Sequence, residues 1–301
     1  MNAVLELSHV SKRFGNRVVI DDLSFSVPHH TVYGFIGENG SGKTTTMKMI
    51  LGLCKADRGE IRVCGKKVKY GENKTNGYIG YLPDVPEFYS FMTPMEYLMF
   101  CGDITGIPAY ENRKRAMEML ELTGLSGENR KIAGFSRGMK QRIGIAQALM
   151  NEPKLLICDE PTSALDPTGR KEILDILQSV KEKTTVLFST HILSDVERIC
   201  DQVGVLHQGS LKFCGSMDEI RNLHPGEGVE VDFVREEEAE RFLIDYPGGK
   251  RTGKRQIVYE KGTEKEMERI LTALSSTHIC PKRVEMRELT LEGLFMEVVG
   301  R

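Results

Sequence analysis

Residues 32–36, 155–158 and 186–188 are short, continuous apolar runs with no polar face. Runs of that kind predict strands buried on both sides, as in a sheet covered by helices. The first leads into a helical pattern over residues 44–53, where Met47, Ile50 and Leu51 recur at helical spacing. The start of the chain is different: residues 4–10 alternate weakly, and 18–20 and 23–27 continue as short strands before Pro28, which predicts an antiparallel β layer. Further strands are predicted over 59–63 and 78–82, the second stopping at Pro83-Asp84. From residue 93 to 125 the period turns helical, with Pro94 suited to a first turn and Tyr97, Leu98, Met117, Leu120 and Leu122 on the apolar face. A second helix opens within 135–142 and carries Met139, Ile143, Ala146 and Met150 on one stripe, and another spans 170–181. Beyond about residue 222 the pattern starts afresh, with strands over 229–234, 256–259 and 283–287 and helices over 236–245, 264–274 and 291–299. The expected organisation is an α/β domain over 1–221, with a helical subdomain at about 85–150, and a small α+β domain over 222–301.

Charge narrows the class of partner. Lys and Arg total 41 against 43 Asp and Glu, a formal net charge of −2, so no global basic field exists to hold nucleic acid, and none is expected. The seven cysteines form no C-x-x-C pair and complete no zinc-ligand spacing with histidine, so they read as buried thiols in a reducing compartment. No stretch approaches the ~18 uninterrupted apolar residues of a membrane span. The chain is not expected to cross or enter a membrane unaided.

Candidate chemistry sits at the ends of the apolar strands. Gly37-Glu38-Asn39-Gly40-Ser41-Gly42-Lys43-Thr44-Thr45 fits G-x-x-x-x-G-K-[ST] at every fixed position, between a buried strand and a helix. Such a loop cradles phosphate: its glycines bring backbone N–H groups close to phosphate oxygens, and the helix adds the positive end of its dipole. Lys43 should reach the β- and γ-phosphates, and Thr44 should offer its hydroxyl to Mg²⁺. The run 154–158 delivers Asp159 and Glu160 at its C-terminal end, where open α/β sheets place ligands. Asp159 there can hold Mg²⁺, and Glu160, pointing the other way, can polarise a water for attack on the γ-phosphate. His191 stands just past the strand over 185–190, on the same rim, placed for a γ-phosphate contact. Phe14 reads either as a core aromatic or as an adenine-stacking ring, and Asp84 either as a metal-site carboxylate or as a turn former. Ser136 and Gly138 suit a helix cap, an anion site, or both.

Together these residues resemble the nucleotide-binding subunit of an ABC transporter over roughly residues 2 to 220. Residues 37–44 match Walker A, 155–160 Walker B and 163–166 the D-loop, His191 matches the switch histidine, and Phe14 the adenine-stacking aromatic. Two positions depart from the family pattern. The signature, usually L-S-G-G-Q, reads Phe135-Ser136-Arg137-Gly138-Met139, and Asp84 stands where the family has Gln or Glu. The resemblance implies a RecA-like parallel-sheet core with an antiparallel β subdomain and a helical subdomain. It implies ATP and Mg²⁺ as ligands, with Asp84 and Asp159 beside the metal, and a dimer closing on two ATP between Walker A of one subunit and Ser136 and Gly138 of the other. It also implies a separately encoded integral-membrane permease, through which this cytoplasmic chain would sit at the inner face of the cell membrane. The helical insert is where the family docks its membrane partner, and Phe88, Tyr89, Phe91 and Met92 there read equally as a docking cluster or as core. The C-terminal region resembles the extension of ABC-2-type exporters, in a pattern ending at Leu291-Glu292-Gly293-Leu294-Phe295; Lys250 to Arg255 reads as a solvated hairpin turn or a contact to anionic lipid. The alternative is a soluble ABC-type ATPase acting as a nucleotide-gated factor on ribosomes or DNA. Those usually carry two motor halves or a long coiled-coil insert, and this chain has one Walker A and no sustained heptads.

Overall fold

The computed structural model describes residues 3–219, 228–259 and 263–287, together with 291 and 293. The chain divides into two compact units, Met1–Ser216 and Met217–Arg301. The helix expected over 291–299 falls outside the described residues except at its first and third positions, as does the expected domain junction at 221/222.

The first unit runs β1 (Ala3–Phe14), β2 (Arg17–Pro28), β3 (Val32–Ile36), α1 (Lys43–Ile50), β4 (Arg58–Val63), β5 (Lys66–Lys67), β6 (Ile79–Leu82), α2 (Pro94–Ile104), α3 (Ala109–Leu122) and α4 (Arg137–Leu149). It continues with β7 (Leu155–Asp159), α5 (Pro167–Ser179), β8 (Thr185–Thr190), α6 (Leu193–Ile199), β9 (Gln202–His207) and β10 (Ser210–Ser216). One antiparallel sheet has the order β2-β1-β4-β5, and a second has the order β10-β9-β3-β8-β7-β6, parallel from β9 to β6 with β10 antiparallel at its edge. Each residue of β3, β7 and β8 is buried, as their unbroken apolar runs require. A core of Leu5, Val10, Phe25, Tyr33, Phe35 and Met47 joins the two sheets and α1, with Phe25 stacked at 5.5 Å on Tyr33 and 5.4 Å on Phe35.

The β layer differs from the short strands expected. β1 and β2 are each single 12-residue strands, and their pairing slips between Leu7 and Val10 and again between Val10 and Lys12. His9 and Asp22 lie in the left-handed region, at φ 51° and 53°, with the His9 ring and the Asp22 carboxylate 2.8 Å apart. Bulges of this kind reset the two-residue period, so one strand reads in sequence as two fragments.

The helical insert is set by local signals. Thr93 and Glu96 form a capping box before Pro94 at the first turn of α2, with the Glu96 carboxylate accepting from Thr93 N at 2.8 Å. Its core gathers Tyr97, Leu98, Leu120, Phe135, Ile143 and Met150. Phe88 and Met92 pack against that core, Phe88 edge-on to Tyr97 at 5.2 Å, while Tyr89 and Phe91 face solvent. The four residues therefore divide between the two readings. Among the described residues no helix is long and apolar enough to cross a membrane.

The second unit pairs β11 (Gly228–Asp232), β12 (Lys250–Arg251), β13 (Gln256–Tyr259) and β14 (Arg283–Arg287) in the antiparallel order β12-β13-β11-β14, with helices α7 (Glu236–Asp245) and α8 (Glu264–Ser276). Phe233, Phe242, Tyr259 and Ile270 form its own core. Arg251 in the basic hairpin is held by Glu236 at 2.8 Å and Glu240 at 3.0 Å, so its charge is answered within the unit.

Candidate functional site

The parallel register aligns the C-terminal ends of β3, β6, β7 and β8, with Ile36 opposite Thr190, Leu82 opposite Cys158 and Asp159 opposite Ser189. The loop from Gly37 to Gly42 leaves β3 at this edge. A Cβ on Gly37 would lie 2.5 Å from both the Leu206 carbonyl oxygen and Ser41 Oγ, so only glycine fits. Gly40 and Gly42 take left-handed backbones, φ 83° and 115°, which glycine adopts without strain. Gly42 is also the N-cap of α1, which has no side-chain cap and no acidic residue in its first turn. The first N–H groups of that helix are thus unclaimed by capping side chains and suit an anion. Ser41 Oγ is buried beside them without a hydrogen-bond partner.

Lys43 is 5% exposed, and its Nζ donates to the Gly37 carbonyl at 2.5 Å and the Glu38 carbonyl at 3.2 Å. It also stands 3.2 Å from Glu160 Oε1. Glu160 follows β7 with φ 50°, a left-handed conformation that costs a non-glycine residue ~1–2 kcal/mol. The backbone holds that conformation by donating Glu160 N to the Ser189 carbonyl and to Ser189 Oγ, both at 3.1 Å. The turned backbone sends the Glu160 side chain toward the loop, while Asp159 points into the sheet edge and accepts from Ser189 Oγ at 2.6 Å. His191 Nδ1 lies 2.9 Å from Glu160 Oε2. Beneath them, burial and then the neighbouring Asp159 push the Cys158 thiol well up, and burial, Asp159, Cys158 and Asp84 push the Tyr81 phenol up to about 12.

A cavity of about 360 Å³ opens over this edge. Asn39, Gly40, Gly42, Lys43, Thr44 and Thr45 line it, with Phe14, Asp84 and Glu160. Phe14 is 54% exposed and has Lys12 Nζ 4.9 Å from its ring centre, so it is a rim aromatic and not core. Ser136 and Gly138 do not line this cavity. Ser136 caps α4, accepting from Met139 N at 3.3 Å, and Gly138 lies near Leu165. Sequence reasoning missed Ser189, whose hydroxyl holds the Asp159 carboxylate and the Glu160 backbone N–H, and Arg17 and Val19, which also line the cavity. Arg17 lies three residues after Phe14, the one signal that could have drawn attention to it. A larger hollow of about 650 Å³ in the second unit, lined by Met267, Leu271 and Met286 among others, brings together no comparable set of reactive groups.

The donor set fits a magnesium nucleotide. Unclaimed helix N–H groups and a buried ammonium suit phosphates, and Thr44 and Asp84 in the cavity wall offer hard oxygen ligands of the kind Mg²⁺ takes alongside phosphate oxygens, while Asp159 is buried at the strand end and does not line the cavity. Among the described residues no group of three or more His, Cys, Asp or Glu could hold a metal alone, so a Mg²⁺ here would need oxygens from phosphate or water as well.

Sheet order, phosphate loop and paired strand-end carboxylates define a P-loop ATPase of the α/β class. The family model described as "ABC transporter" matches residues 20–163. The bacitracin transport ATP-binding protein BcrA of Bacillus licheniformis is 41% identical over 70% of this chain and 69% of its own length. The linearmycin resistance ATP-binding protein LnrL of Bacillus subtilis is 32% identical over 99% of each chain. A solved ATP-binding subunit of an ABC transporter superposes with TM-score 0.66 at 34% identity, covering 73% of this chain and 92% of that one. The chain belongs to the ATP-binding subunits of ABC transporters, ATP-hydrolysing motors that dimerise and work with separate membrane components. The ribosome- or DNA-acting alternative gains no support from these relatives.

Proposed function

We propose that this chain is the motor of an exporter, which closes as a homo- or heterodimer on two MgATP and drives a separate permease from the cytoplasmic face of the membrane. The observation that carries the catalytic part is Glu160, whose carboxylate bridges Lys43 and His191 at the mouth of the phosphate loop. The adenine stacks on Phe14, and the triphosphate lies along residues 37 to 45, taking Lys43 from its carbonyl partners. Glu160, released from Lys43 by the γ-phosphate, accepts a proton from the attacking water. The water oxygen bonds to the γ-phosphorus as the bridge to the β-phosphate breaks, and ADP departs with the electron pair. His191 keeps the Glu160 carboxylate oriented and contacts the γ-phosphate. Thr44 and Asp159, with Asp84 beside them, would hold Mg²⁺, which would neutralise phosphate charge when bound. Ser136 and Gly138 face outward to serve the nucleotide of the other subunit. The direction of transport is supported by relatives named for bacitracin transport and linearmycin resistance. Residues 222–301 form an accessory α+β domain outside the motor.

Co-purification of the tagged chain from membranes tests this reading. An integral protein with about six ~20-residue apolar segments should accompany it. Recovery with ribosomes or DNA, and without such a protein, would overturn it.

A further inference from the structure

Two of the positions where the chain departs from its family pattern, Asp84 and Arg137, lie 53 residues apart and meet in space. Arg137 Nη2 is 3.4 Å from Asp84 Oδ1 and donates to Ser163 Oγ at 3.0 Å. Ser163 Oγ in turn donates to the same Asp84 Oδ1 at 2.8 Å. The triangle closes the loop after β6, the first residue of α4 and the loop after Glu160 onto one another. Its backbone is anchored: the Asp84 carbonyl accepts at 3.0 Å from Gln141 Nε2, and Gln141 is fully buried one turn into α4. Its side chains are not, since Arg137 and Asp84 are 45% and 47% exposed. A half-exposed ion pair is screened and weak, so it can exchange partners without disturbing the fold.

Asp84 also lines the cavity that holds Thr44 and Glu160. Its carboxylate therefore has two claimants, the arginine on one side and whatever cation enters with a nucleotide on the other. We propose that Arg137 is a positioning residue with alternating partners. In the empty chain it holds Asp84 and Ser163. When a magnesium nucleotide draws the Asp84 carboxylate into the cavity, Arg137 is released toward solvent, where it can meet the phosphates bound by a second copy. Filling one site thereby frees a cation for the other. Arginine suits this role because a single guanidinium nitrogen reaches both the serine and the carboxylate here, while the rest of the fork stays available for phosphate. The proposal rests on the reading above that this cavity takes a magnesium nucleotide.

The test is ADP affinity of the full chain by calorimetry, with Mg²⁺ and with EDTA, in wild type, Arg137→Ala, Asp84→Asn and the double variant. ADP avoids turnover. Removing Arg137 should free Asp84, so the ratio of affinities with and without Mg²⁺ should rise about two- to fivefold, the range of an exposed pair. Asp84→Asn should lower the ratio, and Arg137→Ala should change nothing further in that background. Arg137→Gln, which keeps a donor without the charge, should fall between wild type and Arg137→Ala, and serves as the test if the alanine variant misfolds. An unchanged ratio in Arg137→Ala, or an equal rise with and without Asp84, would overturn the exchange. A wild type that binds ADP with no preference for Mg²⁺ would overturn it too. Failure of the wild type to bind ADP in either condition would instead sink the assignment of the cavity.

Discussion

Lys43 is the residue on which phosphate binding should depend most, and the structure sets the size of the loss. Its ammonium is 5% exposed and lies 3.2 Å from a carboxylate whose side chain is 12% exposed. In Lys43→Ala two terms add. At least one charge-assisted hydrogen bond to phosphate disappears, worth ~1.5–3 kcal/mol. Glu160 then faces the phosphates with no cation between them, and two like charges ~5 Å apart at an effective dielectric of ~20 repel by ~3 kcal/mol. Together these weaken ATP binding by roughly 10³–10⁴-fold at ~1.4 kcal/mol per factor of ten. The second term belongs to Glu160, so Lys43→Ala/Glu160→Gln should recover roughly a hundredfold over the single variant. Calorimetric titration of all four members of the cycle with MgATP at constant ionic strength measures both. Affinity of Lys43→Ala within threefold of wild type would show that phosphate does not sit at Lys43. A double variant no better than the single would show that the Lys43–Glu160 pair does not couple to the ligand.

Three further outcomes follow from particular contacts. Phe14→Ala should weaken ATP about tenfold, the low end of aromatic–base stacking because the ring is half exposed, and should leave inorganic triphosphate affinity unchanged; equal losses for both would remove Phe14 from the adenine site. A chain ended at Arg221 should fold and bind ATP with wild-type affinity, because each motor motif lies upstream; aggregation or lost binding would make residues 222–301 part of the motor. Burial raises the Asp195 carboxyl above its ordinary value of 3.8, against the pull of Thr162 and Arg170. The folded chain thus favours the protonated form, and that contribution is lost as pH rises from 3.8 through the folded pKa. Urea unfolding should therefore show Asp195→Asn gaining on wild type as pH rises above 3.8, and a difference independent of pH would refute this.

The parallel core was legible because its strands carry unbroken apolar runs, and the phosphate loop because each glycine in it answers a backbone demand, as at Gly37 and Gly42. Long strands β1 and β2 were not, since bulges at His9 and Asp22 break the period that would have joined their halves. At the site, strand ends announce Asp159 and Glu160, yet nothing in their spacing says which carboxylate turns toward Lys43. That is decided by the left-handed backbone at Glu160 and by Ser189, 30 residues from Asp159, whose hydroxyl serves both. Asp84 and Arg137 looked like separate departures; only tertiary contact through Ser163 shows them to be one arrangement. Phe88 and Met92 against Tyr89 and Phe91 make the same point, since four neighbouring apolar residues divide between core and surface by packing alone.

We propose that Glu160 takes the proton of the attacking water inside an ATP-closed dimer. The most direct measurement is sedimentation of purified Glu160→Gln with ATP and with ADP, with its hydrolysis followed in the same samples. The variant keeps the shape of the side chain and loses its charge, so turnover should fall at least about a hundredfold, within the ~10²–10⁴ that a positioned base contributes. It should sediment as a dimer with ATP and as a monomer with ADP. Turnover at the wild-type rate, with the same sedimentation in both nucleotides, would contradict the claim.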